Sequence, residues 1–301
     1  MMCVLLLAGV AAGEEWLNLY EGPAPGAARP PAGSEVVTER GHITNVEVPQ
    51  YLLYMPASPN GTGVVVCPGG GYGILAMGHE GREVGEWFAK RGVTAMILKY
   101  RVAREAGYGY RFPVPQLDAR RAIRTMRAKG KDWGVKPDRI GVMGFSAGGH
   151  LASTCATLFG ESFDGESSDL IDTASARPDF AILCYPVIAM GERYCHGGSV
   201  KNLLGEDPPA ELLAKCNSAK QVRGESPPCF IVHSADDGAV PLRNGAEFAA
   251  RCAESKVPVV CHFYAEGGHG YGLKGRGDSE GWTTRLEEWM QGNGWMAKGG
   301  L

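Results

Sequence analysis

The sequence predicts an α/β fold, a mostly parallel, doubly wound sheet with helices on both faces and a small cap insertion. Three observations carry that expectation. Short apolar runs recur along the chain, amphipathic helical patterns alternate with them, and one serine sits where an apolar run passes into a small-residue stretch. Runs without polar alternation are the pattern of strands buried on both faces, as in a parallel sheet covered by helices.

Taken in order, residues 1–13 are an apolar core ahead of Glu14-Glu15, with small residues suited to cleavage near Ala11 and Gly13. They read as a signal peptide, implying a secreted or periplasmic protein, although no positive charge opens the segment; without a signal the protein is cytoplasmic. This stretch is too short to cross a bilayer, and no other segment approaches the roughly 18 uninterrupted apolar residues of a span. Residues 14–45, rich in Gly, Pro and Ala over 22–34, read as an irregular N-terminal arm. The main domain is expected over 46–301, with folding starting near Val46.

Strands are expected at Val64-Val65-Val66-Cys67, Ala95 to Leu98, Ile140 to Phe145, Ala181 to Cys184, Phe230 to Val232 and Val259 to Phe263. Helical spacing of apolar residues appears at Val84, Trp87 and Phe88, at Ala119, Ala122, Ile123 and Met126, at Phe248 and Cys252, and at Leu286, Trp289 and Met290. Lys136-Pro137-Asp138-Arg139 carries turn chemistry directly before the Ile140 run. Residues from about 188 to 228 interrupt the alternation and offer one helical candidate, Pro209 to Lys215; the segment reads either as a cap that shapes access or as a mobile surface loop.

Composition narrows the function classes. Net charge is −3 with no basic stripe, which argues against nucleic-acid binding and favours a small-molecule or polysaccharide substrate. The nine cysteines show no C-x-x-C and no ligand-like spacing, so a zinc site is not expected. Cys195 and Cys216, within the insertion, are the one pair considered for a disulfide in an exported protein; free thiols are the expectation.

The chemistry centres on Gly144-Phe145-Ser146-Ala147-Gly148, where a strand turns into a helix so tightly that the serine hydroxyl stands exposed on the bend. A serine hydroxyl is a poor nucleophile at neutral pH and requires a base, and the base a group to orient it. His269, in the glycine-flanked loop Glu266 to Gly272 after the last strand, is the candidate base. The acid comes from Asp236-Asp237 after the preceding strand; Asp237 has the D-x-x-V-P spacing to Val240-Pro241, which leaves Asp236 as a turn residue. Backbone N–H groups of Gly70, Gly71 and Ala147 are the candidate oxyanion donors, each worth roughly 2.7 to 4 kcal/mol in the transition state. A glycine run after a strand can also hold phosphate, but neither the P-loop nor the dinucleotide pattern surrounds it.

These segments together resemble the α/β-hydrolase superfamily, in its esterase and lipase group, and resemble most closely the bacterial acetylxylan-esterase-like hydrolases. The resemblance rests on Cys67-Pro68-Gly69-Gly70-Gly71-Tyr72, His79-Glu80-Gly81, Leu98 to Val102, Gly144 to Ser153 and Gly267 to Gly272, and it covers residues 46 to 292. The order Ser146, Asp237, His269 is that fold's triad order. The resemblance implies an exported, cofactor-free serine esterase acting on acyl groups of plant polysaccharides, most simply acetylated xylan. A feruloyl-type esterase and a same-fold serine peptidase are the enzymatic alternatives, and the chain has no room for the large extra domain that such peptidases usually carry. An inactive glycan-binding or adhesion protein is the alternative of another class.

Other polar residues carry expectations of their own. Tyr72, His79, Glu80 and Tyr271 are candidates for contact with substrate, as is Tyr194 of the insertion, with structural roles as the alternative. His150 is expected to pack beneath the elbow. Asp118 with Arg120 and Arg121 reads as a solvated or capping face.

Overall fold

A computed structural model describes residues 15–26, 34–102, 110–163 and 169–298; the apolar leader over 1–13 and residues 27–33 of the arm lie outside the described residues. In chain order the strands are Leu17–Asn18 (β1), Val36–Val37 (β2), Ile43–Thr44 (β3), Gln50–Tyr54 (β4), Gly61–Cys67 (β5), Thr94–Lys99 (β6), Val135–Phe145 (β7), Phe180–Cys184 (β8), Cys229–Ser234 (β9) and Val259–Tyr264 (β10). The α-helices are Glu83–Ala89 (α1), Val114–Lys129 (α2), Ser146–Thr157 (α3), Gly197–Leu204 (α4), Ala210–Cys216 (α5), Arg243–Glu254 (α6) and Trp282–Gly292 (α7).

Eight strands form one sheet in the order β1-β4-β6-β5-β7-β8-β9-β10. From β6 across to β10 every pair is parallel, while β4 runs antiparallel to both β6 and β1. Every residue of β5, β6, β8 and β9 is buried, which is why the apolar runs show no polar alternation. Helices α2 and α3 pack on β7, and α6 and α7 pack on β9 and β10. The turn expected at Lys136 to Arg139 is not formed: these residues lie within β7, whose register shifts so that Val135 lies opposite Gly61 but Ile140 opposite Gly63, and the chain turns instead at Gly134, φ 69°.

Four further expectations are corrected. The arm over 14–45 is ordered in part, because Leu17–Asn18 pairs with Tyr51 and Gln50 of β4, and Leu19 and Tyr20 are buried. Ile43 and Thr44 are buried as well, with Ile43 bridged to Leu75, so packing begins ahead of Val46. The 188–228 insertion holds a second helix, α4, in addition to α5 at the expected site. Lastly, Asp118, Arg120 and Arg121 do not face solvent. Asp118 accepts three hydrogen bonds from the Arg101 guanidinium and one from the Arg101 backbone, Arg120 donates to the carbonyls of Leu158 and Glu161, and Arg121 pairs with Asp169 and Asp172. Buried charges tolerate such a position only when compensated: Asp118 and Arg121 are in ion pairs, and Arg120 donates to two carbonyls. Both Cys195 and Cys216 are free thiols.

Candidate active site

Five strands deliver the site, all at their C-terminal ends, as open parallel sheets generally do. The glycine loop follows β5, Ser146 follows β7, Tyr185 follows β8, Asp237 follows β9 and His269 follows β10. Short turns after paired strands fix each of these residues in space far better than a long loop would.

Ser146 adopts φ 52°, a left-handed conformation that a non-glycine residue holds only when its surroundings over-determine it. The surroundings do so. A Cβ on Gly148 would stand 2.1 Å from the Cys67 carbonyl oxygen, and one on Gly144 would stand 2.0 Å from the Gly148 carbonyl oxygen. Only glycine fits either flank, so the bend is as tight as the pentapeptide implies.

The structure brings the three expected residues together. His269 Nε2 lies 2.8 Å from Ser146 Oγ, and His269 Nδ1 lies 2.7 Å from Asp237 Oδ2. A carboxylate is an acceptor only, so Nδ1 carries the proton and Nε2 is left to accept from the serine hydroxyl. Asp237 Oδ1 takes the backbone N–H groups of Ala239 and Val240 at 2.9 and 2.8 Å, which is the physical content of the D-x-x-V spacing. Burial, the largest single influence, pushes the Asp237 carboxyl up; hydrogen bonds from His233 and His269, aided by the Val240 N–H, outweigh it and hold the group below the usual carboxylate range. Asp236 is partnered differently: its Oδ1 accepts the Gly268 N–H at 2.8 Å and so pins the loop that carries His269.

In the glycine loop, Gly70 and Gly71 have φ of 133° and 63°. The Gly70 carbonyl accepts from Gly73 and Ile74, closing the loop back on itself, while the N–H groups of Gly70 and Gly71 meet no acceptor among the described residues. Ala147 stands in the first turn of α3, where an N–H has no intrahelical acceptor. The glycine loop packs against the elbow, since a Cβ on Gly69 would stand 3.0 Å from Ser146 Cβ.

The expected substrate contacts fare less well. Tyr72 is 1% exposed and its hydroxyl meets His150 Nδ1 at 2.7 Å. Glu80, 3% exposed, accepts from Gly69 N–H and from the Tyr185 hydroxyl, both at 2.8 Å. Tyr271 is buried edge-on against Tyr185, and Tyr194 donates to Glu247 of α6. These four hold the fold; only His79 keeps a side chain as much as 38% exposed. His150 packs beneath the elbow, with Nε2 donating to the Cys216 carbonyl at 2.7 Å, so Nδ1 is the acceptor for Tyr72.

Several positioning residues escaped the reading of the sequence. Tyr185 lies edge-on to the His269 ring at 5.0 Å and also accepts the Gly272 N–H, so the Glu80 carboxylate links the glycine loop to the histidine loop through one phenol. Tyr100 donates to the Pro68 carbonyl at 2.7 Å, at the root of the glycine loop. Asn202 of α4 donates to the Gly71 carbonyl at 2.8 Å. A polar residue directly after an apolar run was the available signal for Tyr185, and Tyr100 stands one residue further on, after Lys99; nothing in the sequence marks Asn202. A separate cavity of about 280 Å³, lined by Tyr20, Glu47, Arg101 and Tyr110 among others, includes none of the reacting groups.

The arrangement can make a serine hydroxyl reactive and hold an oxyanion beside it. Comparison with known proteins agrees with the fold. The BD-FAE family model matches residues 53–252. An acetylxylan esterase of Xylanibacter ruminicola is 33% identical over 228 residues, 74% of this chain and 44% of that protein. Endo-1,4-beta-xylanase B of Butyrivibrio fibrisolvens is 35% identical over 222 residues, 73% of this chain and 34% of that protein. The chain thus spans less than half the length of these two relatives. Among solved structures, an acetyl ester-xyloside bifunctional hydrolase from Caldicellulosiruptor lactoaceticus superposes with a TM-score of 0.79 at 35% identity, covering 96% of this chain and 100% of that one.

Proposed function

The chain belongs to the BD-FAE family and has the α/β-hydrolase fold, and from that premise we propose that it is a serine carboxylic-ester hydrolase that removes acetyl groups from a carbohydrate such as acetylated xylan. The observation that carries this reading is the unbroken hydrogen-bond path from Ser146 through His269 to Asp237, with unspent backbone N–H groups in the adjoining glycine loop. Relatives named as an acetylxylan esterase and as an acetyl ester hydrolase support the choice of acyl group.

In this mechanism Ser146 Oγ attacks the ester carbonyl while its proton passes to His269 Nε2. The carbonyl oxygen becomes an oxyanion held by the N–H groups of Gly70, Gly71 and Ala147. Collapse breaks the bond to the sugar oxygen, which takes the proton from His269 and leaves as an alcohol. Water, deprotonated by the same imidazole, then attacks the acetyl-serine and releases acetate. Asp237 remains ionised throughout and stabilises the imidazolium. A polymeric substrate is met outside the cytoplasm, in keeping with an exported protein whose leader is the apolar segment over residues 1–13.

The test is acetate release from acetylated xylan and ferulate release from feruloylated arabinoxylan, with Ser146→Ala alongside. We expect acetate release, reduced at least about 10⁴-fold by the substitution. Preferential ferulate release, or faster cleavage of aminoacyl anilides than of aryl acetates, overturns the assignment.

A further inference from the structure

The cap helix α4 begins at His196, whose Nδ1 accepts the Ser199 backbone N–H at 3.2 Å and stands 2.8 Å from the Ser199 hydroxyl. A backbone N–H can only donate, so Nδ1 is unprotonated and the neutral ring carries its proton on Nε2. That Nε2–H has no partner among the described residues. The ring lies against two glycines: a Cβ on Gly198 would come within 3.1 Å of Cε1, and a Cβ on Gly71 within 3.7 Å of the same atom. Cε1 is bonded to both nitrogens, so the unspent donor is one bond from the atom that meets the glycine loop, with Gly198 beside it: a Cβ there would stand 3.5 Å from Nε2. Burial lowers the His196 pKa and the nearby His269 lowers it further, outweighing the upward pull of Asp237, which favours the neutral ring.

From this geometry we propose that His196 is a specificity-determining residue, whose Nε2–H donates to an oxygen of the sugar bearing the acyl group. The proposal rests on the esterase reading and names the substrate feature that the site selects. An alkyl or aryl acetate offers no ring or vicinal hydroxyl oxygen beyond the ester itself; an acetylated xylose offers several within reach of a donor placed beside Gly71. The helix start is built to hold the ring still, since Ser199 is fully buried and fixes Nδ1 twice. A donor with a fixed direction selects more sharply than a mobile one.

The experiment compares kcat/KM on an acetylated xylo-oligosaccharide with kcat/KM on p-nitrophenyl acetate, for the wild type, His196→Asn and His196→Gln. Asparagine is a good helix N-cap and so preserves the start of α4, but it is too short to replace the Nε2 donor. Glutamine carries its amide donor further out. The ratio of sugar ester to aryl ester should fall about three- to tenfold in His196→Asn, the worth of one neutral hydrogen bond, and recover in part in His196→Gln. An unchanged ratio overturns the proposal even if both rates fall, because equal losses mean that His196 only supports the oxyanion loop or the cap. A wild-type protein with no turnover of either ester refutes the esterase reading itself, and this assignment with it.

Discussion

At the scale of single residues, the adjacent aspartates show how neighbouring carboxylates take different partners, one a side chain and one a backbone N–H. Asp237 points inward, is 5% exposed, and spends one oxygen on His269 and the other on two backbone N–H groups. Asp236 points along the surface and holds the N–H of Gly268. Asp237→Asn puts an amide where Nδ1–H needs an acceptor, favouring the wrong tautomer of His269, and kcat should fall about 10⁴-fold. Asp236→Asn retains an oxygen for Gly268 and removes only the charge assistance, so its loss should stay within about tenfold. Steady-state kinetics on an aryl acetate distinguish the two, and the reverse ranking exchanges their roles. Because the Asp237 carboxyl is held below the ordinary carboxylate range, protonation of this residue does not set any fall in rate near neutral pH. The identity of the pair was legible in the sequence from the spacing to Val240. The role of Asp236 was not, since its partner is a backbone N–H 32 residues away.

At the scale of elements, the strands were the most legible part, because burial on both faces leaves a continuous apolar signature. The helices were legible only where one face is apolar, and α2 shows the limit. Its Asp118, Arg120 and Arg121 are 0%, 3% and 1% exposed, yet a sequence shows three charges and suggests water. What hides them is pairing with partners from other segments, Arg101 for Asp118 and Asp169 with Asp172 for Arg121. Asp118 binds both the guanidinium and the backbone N–H of Arg101, so it fixes the chain just beyond β6 against α2. Asp118→Ala leaves a buried cation without its counter-charge, and unfolding in urea should show a loss of about 3 to 5 kcal/mol. A loss below about 1 kcal/mol indicates that water or another carboxylate reaches Arg101. The cap was legible as an interruption and as one helix. Its second helix, Gly197–Leu204, opens with two glycines and a serine, residues of modest helix propensity, and is held by the His196 cap and by the Asn202 bond to Gly71.

At the scale of the whole molecule, the sheet, the elbow helix and the cap are joined by one buried histidine, which makes the stability of the domain depend on pH in a predictable direction. His150, on α3, accepts from Tyr72 of the glycine loop and donates to the Cys216 carbonyl at the end of α5. Burial pushes its pKa down from 6.5 to about 4. In the unfolded chain the same imidazole takes up a proton near pH 6.5, so between these values the unfolded state binds more protons than the native state and stability rises with pH. The contribution is therefore fully present above about pH 6.5 and is lost as pH falls toward about 4. At about 1.4 kcal/mol per pKa unit, moving from pH 7 to pH 5 removes on the order of 2 kcal/mol. His42, His196 and His262 also have lowered pKa values and act in the same direction, so the total slope alone does not isolate His150. Substitution does, because those three are shared by both proteins and cancel. His150→Gln replaces the imidazole with a neutral donor and acceptor, and whatever it costs at pH 7 it should cost less at pH 5. Urea unfolding of the two proteins at both pH values gives the comparison: the wild type should lose about 2 kcal/mol more than His150→Gln on acidification. Equal losses mean that the tie between elbow, glycine loop and cap admits a proton without opening, as it would if the Tyr72 hydroxyl turned to accept from Nδ1.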